Sequence, residues 1–192
     1  MVTYRQAGRE CFWDYDRIPM RLTVKSIFRI DKENRGLGGF RLTETPVQPY
    51  VRDFCLGDDK SVARWAERFD IANWKFFMAY DGEKPVGAAA VASRTKGVNM
   101  LAGREDLAVL WDLRVAEEYK GQGIGKQLFR MATDWARSEG LVQMKIECQN
   151  DNVPAVRFYH GRGAVLCGID EYAYYGDPDF GHTARLLWYL DL

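Results

Sequence analysis

The feature that most constrains this chain is an abrupt change of apolar period across Gly121-Gln122-Gly123-Ile124-Gly125. Upstream, Leu107, Val109, Trp111, Leu113 and Val115 recur at every second residue, the spacing of one strand face, which puts Asp112 and Arg114 on the other. Downstream, Ile124, Leu128, Met131 and Trp135 recur at four-, three- and four-residue intervals, so they line one face of a helix running to about Ser138, with Gly140 as its stop. Glycines at alternate positions tolerate unusual dihedrals and let a ligand approach the backbone. The start of the next helix adds N–H groups suited to an anion. A tight turn with no ligand would use the same glycines. The pattern is neither the GxxxxGKS/T phosphate loop nor the GxGxxG dinucleotide turn, because position 126 is Lys.

Around this corner the chain alternates strands and helices. Leu22, Val24, Phe28 and Ile30 share one parity of a strand that enters the turn-rich 34–39, and a second strand spans Phe40 to Thr45. Asp58 stands ahead of a short helix carrying Ser61, Val62, Trp65, Ala66 and Phe69. Phe76, Met78 and Tyr80, a turn at Asp81-Gly82, and the apolar run Val86 to Val91 read as an antiparallel hairpin. Leu141 to Cys148 is a strand with Val142, Met144, Ile146 and Cys148 on one face and Glu147 on the other. Asn152 and Pro154 open a helix ending near Gly161, and strands follow over Ala164 to Glu171 and Thr183 to Leu190. No break in composition divides the chain, so one mixed α/β domain over 1–192 is expected, with 1–20 as an N-terminal cap in which Phe12, Trp13 and Tyr15 pack.

Composition narrows the classes of function. The 27 basic and 27 acidic residues cancel, so no global field gathers nucleic acid or an anionic membrane. No run approaches the ~18 apolar residues of a membrane span, and Met1 to Glu10 is too polar for a secretory signal, so a cytoplasmic protein is expected. Cysteines 11, 55, 148 and 167 form no CxxC pair and are read as reduced thiols, Cys148 and Cys167 as small buried side chains. His160 and His182 have no spaced ligand partners, so no metal site is expected.

Lys120-Gly121-Gln122-Gly123-Ile124-Gly125, entered from Leu113-Arg114-Val115, resembles the phosphate loop of the GCN5-related N-acetyltransferase (GNAT) superfamily, in which Arg or Gln precedes xxGxG or xxGxA. Lys120 departs from that pattern and replaces a fork or amide by a point charge. Asn152-Val153-Pro154-Ala155-Val156-Arg157-Phe158-Tyr159, followed by Gly161 and Gly163, resembles the family's downstream segment; together the two matches cover about Asp106 to Gly168. Trp74-Lys75-Phe76-Phe77, Asp106 to Val109, Trp111 to Val115, Gly168 to Tyr172 and Leu187-Trp188-Tyr189 resemble the branch that acetylates streptothricin.

The resemblance implies an acetyltransferase fold, a mostly antiparallel central sheet flanked by helices, with acetyl-CoA as donor. It assigns cofactor binding to Leu113, Arg114, Val115, Lys120, Gly121, Gln122, Gly123, Ile124, Gly125, Lys126, Asn152 and Tyr159. Backbone donors around Val115 would polarise the thioester carbonyl and the glycine turn would hold the pyrophosphate. Asn152 would meet the cofactor arm and Tyr159 would protonate the departing sulfur, with His160 the neighbouring alternative; Lys126 meets phosphate or only solvates its helix. The acceptor is a cationic small-molecule amine, with streptothricin's β-lysine the implied one. An amine of pKa near 10 is only about 0.1% neutral at pH 7, a penalty of roughly 4 kcal/mol, so a base is needed. Asp112 and Glu147 are the two candidates for base and cation holder, and each serves equally as a structural ion pair. Asp170, Glu171 and Tyr172 would form a further wall for the cation or a surface turn, with Tyr174 and Tyr175 beside them. Another small amine, a polyamine or a protein N-terminus as acceptor stays open, as do a CoA-binding regulatory module without catalysis and a homodimer.

Overall fold

A computed structural model describes residues 1–55 and 61–192; Asp58, expected ahead of the short helix, lies outside the described residues. In chain order the strands are β1 (Val2–Ala7), β2 (Arg21–Glu33), β3 (Gly39–Asp53), β4 (Lys75–Asp81), β5 (Lys84–Ser93), β6 (Leu107–Val115), β7 (Gln143–Gln149), β8 (Val165–Asp170) and β9 (Arg185–Asp191). The helices are α1 (Phe12–Asp16), α2 (Val62–Arg68), α3 (Ile124–Ser138) and α4 (Val153–His160). They form two compact units: Met1–Arg21, Asp53–Ile146 and Leu190–Leu192 make the first, Leu22–Arg52 and Glu147–Tyr189 the second. The fold is mixed α/β, its sheet mostly antiparallel and flanked by helices, as expected.

In the first unit the strands run in the order β1-β4-β5-β6-β7. All pairs are antiparallel except β6–β7, which is parallel. Phe76 to Ala79, Val86 and Ala88 to Ala92 are each 3% exposed or less, so β4 and β5 are covered on both faces, and this is why their apolar runs are continuous rather than alternating. α3 presses onto β5 at Gly87, where a Cβ would stand 2.9 Å from Ile124 Cγ2 and 3.0 Å from Leu128 Cδ1. The expected stop of α3 is a Schellman turn: Gly140 has φ +73°, its N–H donates to the Arg137 carbonyl, and Leu141 N–H donates to the Ala136 carbonyl. Rings from α1, α2, β4 and β6 make a second packing layer, with Trp74 5.0 Å from Trp111, Trp65 6.1 Å from Trp111 and Tyr15 5.8 Å from Trp65.

The second unit carries a two-stranded ribbon, β2–β3, the antiparallel pair β8–β9, and α4. Leu22, Val24, Phe28 and Ile30 lie on the more covered parity of β2, as their spacing predicts. β3 outruns the expected end at Thr45 and continues through Pro46 and Pro49 to Asp53. A strand with one ladder partner can place a proline where no N–H is required.

Four local expectations are corrected. The N-terminal cap is a strand in register with β4 from Val2↔Asp81 to Ala7↔Phe76, and its polar edge parity hid it. Trp13 does not pack, being 77% exposed, although Phe12 and Tyr15 do. Val142 precedes β7 and is exposed, while Met144, Ile146 and Cys148 are buried. Cys167 is exposed on β8, not buried. Among the described residues no helix is long and apolar enough to cross a membrane.

Candidate active site

The period change at Lys120 becomes a bare helix start. Gly121 and Gly123 take φ +78° and +85°, a left-handed geometry open to glycine, and a Cβ at either would meet nothing within 4 Å. Gly123 is the N-cap of α3, no side chain caps the helix, no acid lies in its first turn, and the first helical turn closes with Gln127 N–H donating to the Gly123 carbonyl at 3.0 Å. An exposed backbone with outward N–H groups and no competing carboxylate fits an anionic group such as a pyrophosphate. Gly125 is covered instead, its Cβ direction 3.6 Å from Val115 Cγ2. Lys120 points away from the turn: its Nζ donates to the Arg21 carbonyl at 2.8 Å and reaches Glu117. Gln122 donates to the Glu118 carbonyl, and Lys126 is exposed on the helix.

β6 leads into this turn. Its parallel ladder with β7 runs over Leu107–Leu110 against Gln143–Ile146; beyond it the β5 register skips Trp111, and Asp112 to Val115 keep β5 as their strand partner. Peptide groups of Leu113, Arg114 and Val115 on the other side are therefore outside the ladder. The Arg114 side chain turns into the core. Its Nε lies 3.1 and 3.2 Å from the two Asp112 oxygens, its Nη2 also donates to Oδ2, and its Nη1 reaches the Ile18 carbonyl and Cys55 Sγ. The pair is buried, 4% exposed at Arg114 and 8% at Asp112, under the Tyr15 ring, 4.9 Å from the guanidinium carbon. Burial opposes the guanidinium charge, but Asp112's charge and hydrogen bonds outweigh it and hold the Arg114 pKa above its ordinary value. Any part Arg114 plays toward a ligand falls to its backbone.

In the second unit, the Asn152 side chain caps α4 by accepting from Ala155 N–H at 3.2 Å, and Pro154 occupies the second helical position. This leaves the Asn152 amide nitrogen as the group with donors to offer. The preceding Asp151 is buried and fixes the helix entry, taking Tyr50 Oη at 2.9 Å and Arg52 Nε and Nη2 at 3.1 and 2.5 Å on one oxygen. Tyr159 is 7% exposed within α4, its ring 5.5 Å from Phe158; His160 is exposed at the helix end.

Glu147 lies on β7 with its side chain 28% exposed. Tyr174 Oη donates to its Oε1 at 2.7 Å, Gln149 Nε2 donates to Tyr174 Oη at 2.8 Å, and Arg185 Nη1 stands 3.8 Å from Oε2. Arg185 Nη2 donates to Asp170 at 2.9 Å, so Arg185 joins Glu147 and Asp170. Glu171 pairs with Lys32 instead. Two carboxylates of the expected acidic wall thus have internal cations, which a count of acids along 170–179 does not reveal. Tyr172 is 74% exposed, with its N–H on Asp170 Oδ1. Tyr174, Gln149 and Arg185 were invisible as a group because 25 and 27 residues separate Tyr174 from its two partners. Among the described residues no group of three His, Cys, Asp or Glu side chains is placed to hold a metal ion.

Comparison with known proteins gives these halves a common context. Residues 43–164 match the acetyltransferase (GNAT) family model. A streptothricin acetyltransferase of Streptomyces lavendulae is 30% identical over 162 residues, covering 84% of this chain and 80% of the relative. The crystal structure of nourseothricin acetyltransferase superposes with a TM-score of 0.76 at 26% identity, covering 99% of this chain and 98% of that one. A Bacillus anthracis protein solved in complex with acetyl coenzyme A shares the fold, with a TM-score of 0.76 at 21% identity over 100% of this chain and 98% of that one. With the family model spanning well over half its length, the chain belongs to the GNAT acetyltransferase family.

Proposed function

We propose that this protein transfers the acetyl group of acetyl-CoA to a primary amine of streptothricin, in its β-lysine part, by direct attack within a ternary complex. The observation that carries the reading is the uncapped start of α3, where Gly121 and Gly123 expose backbone and no acid competes for the N–H groups. The acceptor rests on likeness to streptothricin- and nourseothricin-acetylating relatives over most of both chains.

Acetyl-CoA, when bound, supplies an activated thioester. The residues do the rest. N–H groups from Gly121 to Lys126 hold the pyrophosphate, and the Asn152 amide nitrogen donates to the cofactor arm while its oxygen stays on Ala155. Backbone donors of Leu113 to Val115, outside the β6–β7 ladder, orient the carbonyl. Tyr159 holds a proton at Oη for the sulfur.

Of the two candidate bases we assign Glu147. Asp112 would have to release Arg114 to take a proton, and doing so would leave a buried guanidinium without its counter-charge. Glu147 Oε2 has its paired cation, Arg185, 3.8 Å away and so beyond hydrogen-bond range, and the side chain stays partly exposed. The exposed Tyr172 ring, with Asp170 and Glu171 beside it, offers a face and charge to a polycation competing with Arg185 and Lys32. Placing donor and acceptor together supplies the acceleration without an acyl-enzyme.

The test is acetyl-CoA turnover by the purified protein against streptothricin, polyamines, aminoglycosides and short peptides, read as released thiol and product mass. Selective turnover of streptothricin, with one added acetyl group, supports the assignment. Efficient turnover of another amine replaces the acceptor, and acetyl-CoA binding with no transfer to any amine replaces the enzyme by a binding module.

A further inference from the structure

Glu147 does not stand by itself on β7. Its Oε1 accepts from Tyr174 Oη at 2.7 Å, and that phenol oxygen in turn accepts from Gln149 Nε2 at 2.8 Å. A phenol has one proton. With Gln149 donating to its oxygen, Tyr174's own proton is directed at Glu147. The Tyr174 ring packs 5.9 Å from Phe180, within the connection between β8 and β9, so the phenol has limited freedom to swing away. Arg185 Nη1 lies farther off, 3.8 Å from Oε2, and its Nη2 is committed to Asp170.

We infer that Tyr174 is a positioning residue for the acid–base chemistry of Glu147: its phenol locks Oε1, so that Oε2, which Arg185 approaches only to 3.8 Å, is the oxygen left to take the proton. This rests on the assignment of Glu147 as base. In the step itself, the ammonium N–H bond breaks, its proton passes to Glu147 Oε2, and the nitrogen keeps the electron pair with which it attacks the acetyl carbon. Tyr174 keeps its proton throughout. That is consistent with burial, and next the Glu147 charge, pushing the phenol well above its ordinary range. The other groups on this carboxylate are Arg185, Asp170 behind it, and the neighbouring Cys148, whose thiol burial pushes up to about 12 and keeps neutral near pH 7.

A hydrogen bond donated to one carboxylate oxygen fixes the orientation of the group, so removing it should slow proton removal from the bound amine without touching acetyl-CoA binding. The experiment compares Tyr174→Phe, Glu147→Gln and the double variant with streptothricin and acetyl-CoA, measuring kcat and both KM values. Thermal unfolding checks the fold. Tyr174→Phe is expected to lower kcat about tenfold with the acetyl-CoA KM unchanged. The double variant is expected to be no slower than Glu147→Gln, because a positioning residue has nothing left to position. If Glu147→Gln retains full turnover, the base assignment fails and this inference with it. If Glu147→Gln is slow but Tyr174→Phe leaves kcat unchanged, or the two losses multiply, the base assignment stands and the role of Tyr174 is overturned. Should Tyr174→Phe unfold, Gln149→Leu removes only the bond that orients the phenol and must then lower kcat with the acetyl-CoA KM unchanged; an unchanged kcat overturns the inference.

Discussion

Asp112 and Glu147 are matched in the sequence, each a carboxylate on the polar parity of a strand beside the candidate chemistry, and the fold treats them oppositely. Asp112 is sealed: Arg114, two residues on, fills its hydrogen bonds beneath the Tyr15 ring. Glu147 takes its one close hydrogen bond from a phenol, has Arg185 3.8 Å from its other oxygen, and keeps an exposed side. A guanidinium in direct hydrogen bonds consumes a carboxylate, whereas a phenol donor with the guanidinium held 3.8 Å away aims one and leaves it partly accessible. On that contrast rests our proposal that the first serves cohesion and the second chemistry.

The hardest test of that contrast is Glu147→Gln, which should lower kcat by about 100-fold or more, the usual scale of general-base loss, while thermal unfolding stays close to the parent. A near-parental kcat would erase the distinction. Asp112→Asn should do the reverse, costing about 3–5 kcal/mol of stability by leaving Arg114 buried without its counter-charge, as read by denaturant unfolding. Equal stability would mean the seal is not structural. A smaller effect comes from pH. Burial and then the Asp112 charge push the Tyr15 phenol well above its ordinary 10.0, Arg114 opposing. A raised native pKa means stability is intact below the unfolded value and declines as pH climbs above 10.0, where only the unfolded phenol ionises. Tyr15→Phe should flatten that alkaline decline, measured as unfolding free energy across pH 9–12. The smallest effect is a reporter: Cys55 Sγ lies 3.6 Å from Arg114, and burial raises its pKa. Its thiol should label slowly beside exposed Cys167 in the parent and faster in Asp112→Asn.

Much of the scaffold was legible because it rests on local period. The β4–β5 hairpin, β6 entering a glycine corner, α3 with Gly140 at its end, and α4 opened by Asn152 and Pro154 each follow from spacing and a cap or stop residue. β1 escaped because an edge strand needs only weak patterning, and β3 because two prolines look like its end. The site was half legible. The turn is contiguous and its glycines announce it. The partners that separate Asp112 from Glu147 are set by tertiary packing: the Arg114 rotamer, Tyr174 placed 27 residues from Glu147, and Lys32 drawn to Glu171. No single-chain spacing encodes those pairings.

Pro46 and Pro49 in β3 carry a consequence for life in a crowded solution. The β2–β3 ribbon is bonded at Phe28 to Asn150 on one rim and displays Phe40 and Val51, with Leu37 in its turn, apolar side chains at least half exposed. A free rim is a template for a stranger's strand. Pro46 and Pro49 differ in parity, so strand alternation turns them to opposite rims; each removes one amide hydrogen, and the one on the free rim interrupts the row a neighbouring copy would zip onto.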